Sequence, residues 1–154
     1  MPSHIAPFWQ RYLATCADPD AANARFYESF RIGDGDAVAD AGAALILGGE
    51  KTTTSSPLWE YQETGKPQPS VGALSVLEDG RRNPVCVVES VWVEVVRFAD
   101  VDAAFARAYG ETDGTLAGWR DLITGFYTEA RCGPGRAVTD DTPLVCERFR
   151  IVFR

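Results

Sequence analysis

The chain has 154 residues, is 45% hydrophobic and 24% charged, and carries a formal net charge of -7. That length buries a core without staples, so one folded unit over residues 1–154 is expected. The acidic balance excludes the broad, salt-driven grip on long nucleic acid that needs many uncompensated Lys and Arg, leaving a local basic cleft or a small ligand.

Residues 5–16 read as a first helix, with Ile5, Phe8, Trp9, Tyr12 and Leu13 at helical spacing. Asp18-Pro19-Asp20 breaks it, and Ala21–Phe30 reads as a second short helix. In the loop Arg31-Ile32-Gly33-Asp34-Gly35, Asp34 or the following Asp36 is placed to cap what comes next. Alanine content predicts a helix over Ala37–Leu47, with Val38, Ala41, Leu45 and Ile46 on its apolar side and Gly48-Gly49 as its C-cap. A polar tract follows, then a helical turn at Pro57–Gln62. Strands are predicted at Ala73–Leu77, Pro84–Phe98 and Leu144–Arg154, the first two joined by hairpin turn chemistry at Glu78–Asn83. The long strand is apolar on both sides, which suits a closed or covered sheet. Between it and the last strand lie two helices, one capped by Asp100 and one carrying Leu116, Trp119, Ile123 and Phe126, and then a loop over Cys132–Thr142. The fold class is α+β: a helical N-terminal segment over 1–30, a small, mostly antiparallel barrel-like sheet, and flanking helices.

The residue types narrow the chemistry. The single histidine, His4, sits near the start of the chain, which argues against a Ser-His-Asp triad, a H-E-x-x-H metal site or a histidine acid–base pair. Cys16, Cys86, Cys132 and Cys146 are widely separated, with no C-x-x-C pair. They form neither a zinc knuckle nor a small disulfide framework, and reduced, mostly buried thiols in a cytoplasmic protein are expected, with no metal and no cofactor. No apolar run is long enough to span a membrane as a helix, and Met1-Pro2-Ser3-His4 lacks a signal-peptide pattern.

Lys51 stands out because only two of the fifteen basic residues are lysines. It lies in Gly49-Glu50-Lys51-Thr52-Thr53-Thr54-Ser55-Ser56, just past a helix end. A buried lysine can lose its proton and activate Thr54 as a nucleophile, whereas a charged one holds a phosphate or polarises a carbonyl. The plain alternative is a helix cap followed by a polar loop. Glu111, between Gly110 and Gly114, is a candidate general acid/base for proton transfer to a leaving nitrogen or oxygen, against the alternatives of a solvated loop glutamate or a first-turn acid favoured by a helix dipole. Glu89 and Glu94 compete with it, Glu89 with the further option of a structural pair with arginine. Trp59 and Tyr61 offer rings for stacking on a base, although aromatics at this spacing also serve a core. The Arg148/Arg150/Arg154 stripe has the pattern of a strand's wet face.

Gly49-Glu50-Lys51-Thr52-Thr53-Thr54 resembles the G-x-K-x-x-T signature of the ASCH (activating-signal-cointegrator homology) domain, a PUA-like superfamily. Phe30-Arg31-Ile32-Gly33-Asp34 looks like the F-x-x-G-D lead-in of its longer bacterial members. Pro69–Gly72, Asn83–Val88, Val93–Phe98, Gly110-Glu111 with Trp119, and Val145–Phe149 continue the likeness, so that it spans roughly residues 26–154. The resemblance implies a PUA-like β-barrel flanked by helices and a cleft for a modified nucleoside or single-stranded RNA. Small bacterial ASCH enzymes remove the acetyl group from N4-acetylcytidine with a lysine, a threonine three residues on and a glutamate. Those positions look like Lys51 as activator, Thr54 as nucleophile and Glu111 as proton acceptor. Other members are RNA-binding or RNA-cleaving, and a non-catalytic PUA-like adaptor is the third reading. Ser55, Ser56 and Trp59 beside the motif, with Arg31 and Asp34 of the lead-in, are the candidate ligand-binding positions. One departure is Ser55-Ser56-Pro57, where the small amidohydrolases continue with an I-R-like pair. A basic substrate contact is thereby lost.

Overall fold

Local sequence sets most of the elements, and the computed structural model describes all residues 1–154. In chain order they are α1 (Ala6–Leu13), α2 (Pro19–Ala24), β1 (Phe26–Phe30), α3 (Asp36–Gly48), β2 (Thr53–Pro57), α4 (Leu58–Thr64), β3 (Leu74–Glu78) and β4 (Pro84–Arg97). A 3-10 turn (Phe98–Asp100), α5 (Ala103–Ala108), α6 (Leu116–Phe126), α7 (Glu129–Cys132) and β5 (Pro143–Phe153) complete the chain. The strand order is β1-β3-β4-β5-β2. β1 pairs with β3 in parallel, while β3 with β4 and β2 with β5 are antiparallel. The ladder runs from one edge strand to the other, so the expected barrel is an open one. No helix is long and apolar enough to cross a membrane.

The chain divides into two compact units, the first comprising 1–49, 69–92 and 149–154 and the second 50–68 and 93–148. In the first unit, alternation along β3 sends side chains to opposite faces. Leu74 and Val76 meet Ile5, Phe8, Trp9, Tyr12 and Leu13 of the α1 region, while Leu77 joins Ile32, Ala43, Ile46 and Phe149. Trp9 is wedged against Phe26 and donates its indole N–H to Asn23 Oδ1 at 2.9 Å. The β3–β4 turn is held by the Asp79 carboxylate, which accepts from the Arg81 and Asn83 N–H groups at 2.8 Å. The Asn83 side-chain amide, which donates to the other carboxylate oxygen at 3.0 Å, and then these backbone donors hold its carboxyl below the usual range.

The second unit packs around Trp119, which stacks with Phe98 at 5.4 Å and meets Phe105 and Tyr109 edge-on. Asp102 caps α5 by accepting from the Phe105 N–H at 2.7 Å, and Thr115 caps α6 through the Gly118 N–H at 3.0 Å.

Several expectations need correction. Ala21–Phe30 is not one helix: α2 stops at Ala24, and Phe26–Phe30 is a strand because β3 supplies a parallel partner. The N-terminal 1–30 is therefore only partly helical. The face of α3 that is buried carries Ala39, Gly42, Ala43 and Ile46, whereas Val38 and Ala41 are exposed. Small residues win there because the helix lies close: a Cβ on Gly42 would sit 2.4 Å from Ile32 Cβ. Neither Asp34 nor Asp36 caps α3, whose N-cap is Gly35. Asp102 rather than Asp100 caps α5, since Asp100 is drawn into an ion pair with Arg97 at 2.8 Å. β4 is buried over Cys86, Val87 and Val88 but carries exposed Val91 and Val95 further on. The hydroxyl tract is no loop either. It forms the edge strand β2, paired from Thr53↔Arg148 to Pro57↔Leu144.

Candidate functional site

The helix α3 ends at Gly49, whose φ of +86° is open to glycine, and Lys51 follows two residues on. In the second unit, residues 51–53 then dock on the C-terminal end of α5, where helix carbonyls lack intrahelical donors. The Thr52 N–H donates to Ala108 O at 2.8 Å, Thr53 Oγ1 to Phe105 O at 3.1 Å and Lys51 Nζ to Tyr109 O at 3.1 Å. A cation at a helix C-terminus is favoured by the partial negative charge there.

Lys51 is only 1% exposed. Its ammonium also donates to Thr53 O at 2.9 Å, pairs with Glu111 Oε2 at 2.8 Å, and lies 3.5 Å from the centroid of the Tyr109 ring. Those oxygens accept all three N–H bonds of a charged lysine. Burial nevertheless pulls its pKa from 10.5 down to about 8, with the Glu111 carboxylate opposing the fall. Glu111 keeps 20% of its side chain exposed, so the pair is dry on the lysine side and open on the carboxylate side. The turn that brings Glu111 here needs Gly110: its φ is +76°, and a Cβ would lie 2.7 Å from Glu50 O.

Thr54 and Ser55 enter through Tyr109. Its buried phenol lies near Thr54 and Ser55 without a hydrogen bond to the Ser55 hydroxyl. Burial and the nearby Glu111 charge push the phenol's pKa well up, so it stays neutral and keeps its proton. Ser55 Oγ is buried and has no well-aligned partner. Among the expected catalytic residues, Lys51 and Glu111 touch directly, and Thr54 reaches the same cluster by way of Tyr109. Sequence reasoning missed Tyr109 as a site residue, although its place beside Gly110-Glu111 was the available signal.

The other candidates fall elsewhere. Ser56 lies beside the Glu60 carboxylate and the Tyr127 phenol; burial pushes Glu60 up. Trp59 is half-buried and meets Tyr127 edge-on at 6.3 Å. Arg31 is in the first unit, where it donates to Asp36 at 3.0 Å and Gly80 O at 3.2 Å. Asp34 is an exposed residue of that unit. Glu89 has the structural role weighed for it, accepting from Arg25 at 2.9 Å and Arg150 at 2.7 Å. Arg150 is thereby occupied, Arg154 donates to Leu47 O, and Arg148 lies over the Phe105 ring. His4 contacts Glu78 at 2.8 Å. All four cysteines are free, and burial pushes Cys86 up to about 11 and Cys146 up to about 12, which makes both poor nucleophiles. A groove of about 390 Å³, lined by Gln10, Leu13, Ala14, Pro19, Asp20 and Asn23, lies in the first unit and includes none of the candidate residues.

The α+β fold on an open, mostly antiparallel five-stranded sheet is that of the PUA-like class. The chain belongs to the ASCH domain family, whose model matches residues 28–153. Two solved structures are similar over nearly the whole chain. An ASCH domain from Lactobacillus crispatus is 27% identical with a TM-score of 0.87, covering 100% of this chain and 97% of that one. Protein EF3133 from Enterococcus faecalis is 25% identical with a TM-score of 0.82, covering 99% of this chain and 90% of that one. No curated protein matches the chain.

Proposed function

We propose that this protein is a hydrolase of an acylated pyrimidine nucleoside of the N4-acetylcytidine type. The observation that carries the reading is the 2.8 Å contact between buried Lys51 and partly open Glu111, in the cluster that Thr54 joins through Tyr109. Thr54 Oγ attacks the acyl carbonyl carbon and its proton passes to Glu111. The Lys51 ammonium favours the oxyanion as it forms through its charge, and donates to it directly only by giving up one of its three present acceptors. The carbon–nitrogen bond then breaks, Glu111 returns the proton to the leaving nitrogen, and water hydrolyses the acyl-threonine ester to release the acid. A small substrate also agrees with the net charge of -7 and with the occupied Arg150 and Arg154.

The test is turnover of N4-acetylcytidine by purified protein, beside Thr54→Ala and Glu111→Gln. Each variant is expected to lose at least about a hundredfold in kcat. A wild type without turnover, or variants that match it, would sink the assignment. The pH profile separates two roles for Lys51: a charged lysine makes turnover fall as pH rises through about 8, and a neutral base makes it rise. A short single-stranded RNA belongs in the same assay. Binding that weakens steeply with salt would favour RNA as the ligand of the cleft, since nucleoside turnover responds far less to salt.

A second reading has its own observation. Lys51, Thr52 and Thr53 satisfy the terminal carbonyls of α5, which is sufficient reason for the motif in a non-catalytic adaptor. In that case Lys51→Ala lowers stability and no nucleoside is turned over.

A further inference from the structure

Residues opposite each other in a ladder share a face, so the pairing of β2 with β5 decides what each hydroxyl of the tract looks at. Thr53 is paired with Arg148, and that pair faces α5: Thr53 Oγ1 donates to Phe105 O at 3.1 Å, and the Arg148 guanidinium lies over the Phe105 ring at 5.6 Å. The next pair, Thr54 with Glu147, therefore faces the other way. The two faces also differ in access. Thr53, Ser55 and Cys146, on the α5 side, are 0%, 5% and 1% exposed, whereas Thr54 and Glu147 are both half-buried. We infer that Glu147 is a specificity-determining residue of the proposed hydrolase, accepting the N–H of the scissile amide while Thr54 attacks its carbonyl. The inference rests on the hydrolase reading.

The chemistry follows from reach and from what each group can accept. Side chains directly opposite in an antiparallel pair have Cβ atoms about 4.5–5.5 Å apart, a span that suits the length of a glutamate. An acyl carbon at attack distance from Thr54 Oγ, about 3–3.5 Å, thus brings its amide nitrogen within range of the Glu147 carboxylate. An ionised carboxylate only accepts hydrogen bonds. It suits the one hydrogen of a secondary amide nitrogen and turns away an ester oxygen, which has lone pairs and no hydrogen. Holding that N–H leaves the nitrogen lone pair for the returned proton, and the nitrogen departs as the amine. The two carboxylates then divide the work. Glu111, held by Lys51 at 2.8 Å, moves the proton, and Glu147 reads the amide.

Glu147→Met and Glu147→Gln test this on two substrates, N4-acetylcytidine and phenyl acetate, whose leaving oxygen carries no hydrogen. Methionine keeps the length of the side chain and removes the carboxylate acceptor, while glutamine keeps an acceptor oxygen and removes the charge. In Glu147→Met, kcat/KM on N4-acetylcytidine should fall about 10- to 100-fold, as for loss of one hydrogen bond to a charged group, with phenyl acetate within about twofold of wild type. Glu147→Gln should recover most of the loss. Thr54→Ala should abolish both reactions, which ties the ester to the same nucleophile. Equal losses on amide and ester in Glu147→Met overturn the inference, since Glu147 would then serve the fold or Thr54 itself. An unchanged amide rate in Glu147→Met overturns it too. So does a Glu147→Gln protein as impaired as Glu147→Met, which would make the carboxylate a base rather than an acceptor. Each of these outcomes leaves the hydrolase reading standing. Absence of wild-type turnover removes both.

Discussion

Lys51→Met is expected to abolish nucleoside turnover, by about a thousandfold or more, and to change how stability depends on pH. Under the proposed mechanism the catalytic loss follows from removing the positive charge beside the developing oxyanion. The stability effect has a definite sign. Folded Lys51 has a pKa of about 8 against 10.5 for an ordinary lysine, so between those values the unfolded chain holds a proton that the folded chain has released. Stability from this group therefore rises with pH across that window, and below about pH 8 the fold carries the cost of a buried ammonium. The gap corresponds to about 3 kcal/mol. Other groups also titrate above pH 8, but they are common to both proteins. Denaturant unfolding of wild type and Lys51→Met at pH 7, 8.5 and 10 isolates the lysine: wild type should gain on the variant by about 2–3 kcal/mol across the series, most of the full gap. A difference that stays constant with pH would mean that Lys51 is not a depressed, buried lysine. The contrast is informative because Lys51 has two kinds of partner. Glu111 and the Tyr109 ring favour its charge, and burial opposes it.

How much of this was legible in the chain depended on whether the signal was local. The stripe of α1, the Gly49 stop, the Asp79 turn and the existence of β5 are all properties of neighbouring residues, and they read correctly, whereas β5 does not alternate in burial, since Leu144, Val145 and Cys146 are all buried. β1 failed because Phe26, Tyr27 and Phe30 at spacings of one and three mimic a helix face. Only Leu74 and its neighbours, far along the chain, make it a strand. β2 failed for a related reason. A run of Thr and Ser lacks apolar alternation, and its strand identity comes from pairing with β5. The face of α3 was misassigned because side-chain size misled: Val38 looks like core, but the buried face is mostly small residues, and where Ile32 presses on the helix Gly42 leaves no room even for a Cβ. At the site, the chemistry-bearing types stood out, and the family resemblance linked Lys51 to Glu111. The part that was not legible was the packing that joins them. An aromatic at the end of an amphipathic helix reads as core, and Tyr109 is core, yet its carbonyl and its ring face both meet the Lys51 ammonium.

That convergence ties the site to stability through one small residue. Gly110→Ala is expected to cost about 2–5 kcal/mol and to take most of the turnover with it. Two terms add. A φ of +76° disfavours any side chain, by about 1–2 kcal/mol. Overpacking then adds about 1–3 kcal/mol, because the new Cβ would meet Glu50 O at 2.7 Å and Lys51 Cα at 2.9 Å. Those are backbone atoms and cannot rotate aside as a flexible side chain would. To relieve the clash the strand entry must shift away from the Tyr109–Glu111 turn, which lengthens the 2.8 Å Lys51–Glu111 contact on which the proposed chemistry depends. Gly114→Ala is the matched control. Its φ of +79° imposes similar strain, but the nearest atom to a Cβ there is Arg107 Cγ at 3.9 Å. It should cost only about 1–2 kcal/mol and leave turnover largely intact. Thermal melts of the two variants, read beside their kcat values, decide the matter. Equal losses in both would show that the close approach of Gly110 to Glu50 and Lys51 contributes nothing. A Gly110→Ala protein much less stable than Gly114→Ala, and far less active, would tie the turn at Tyr109-Gly110-Glu111 to the Lys51 site.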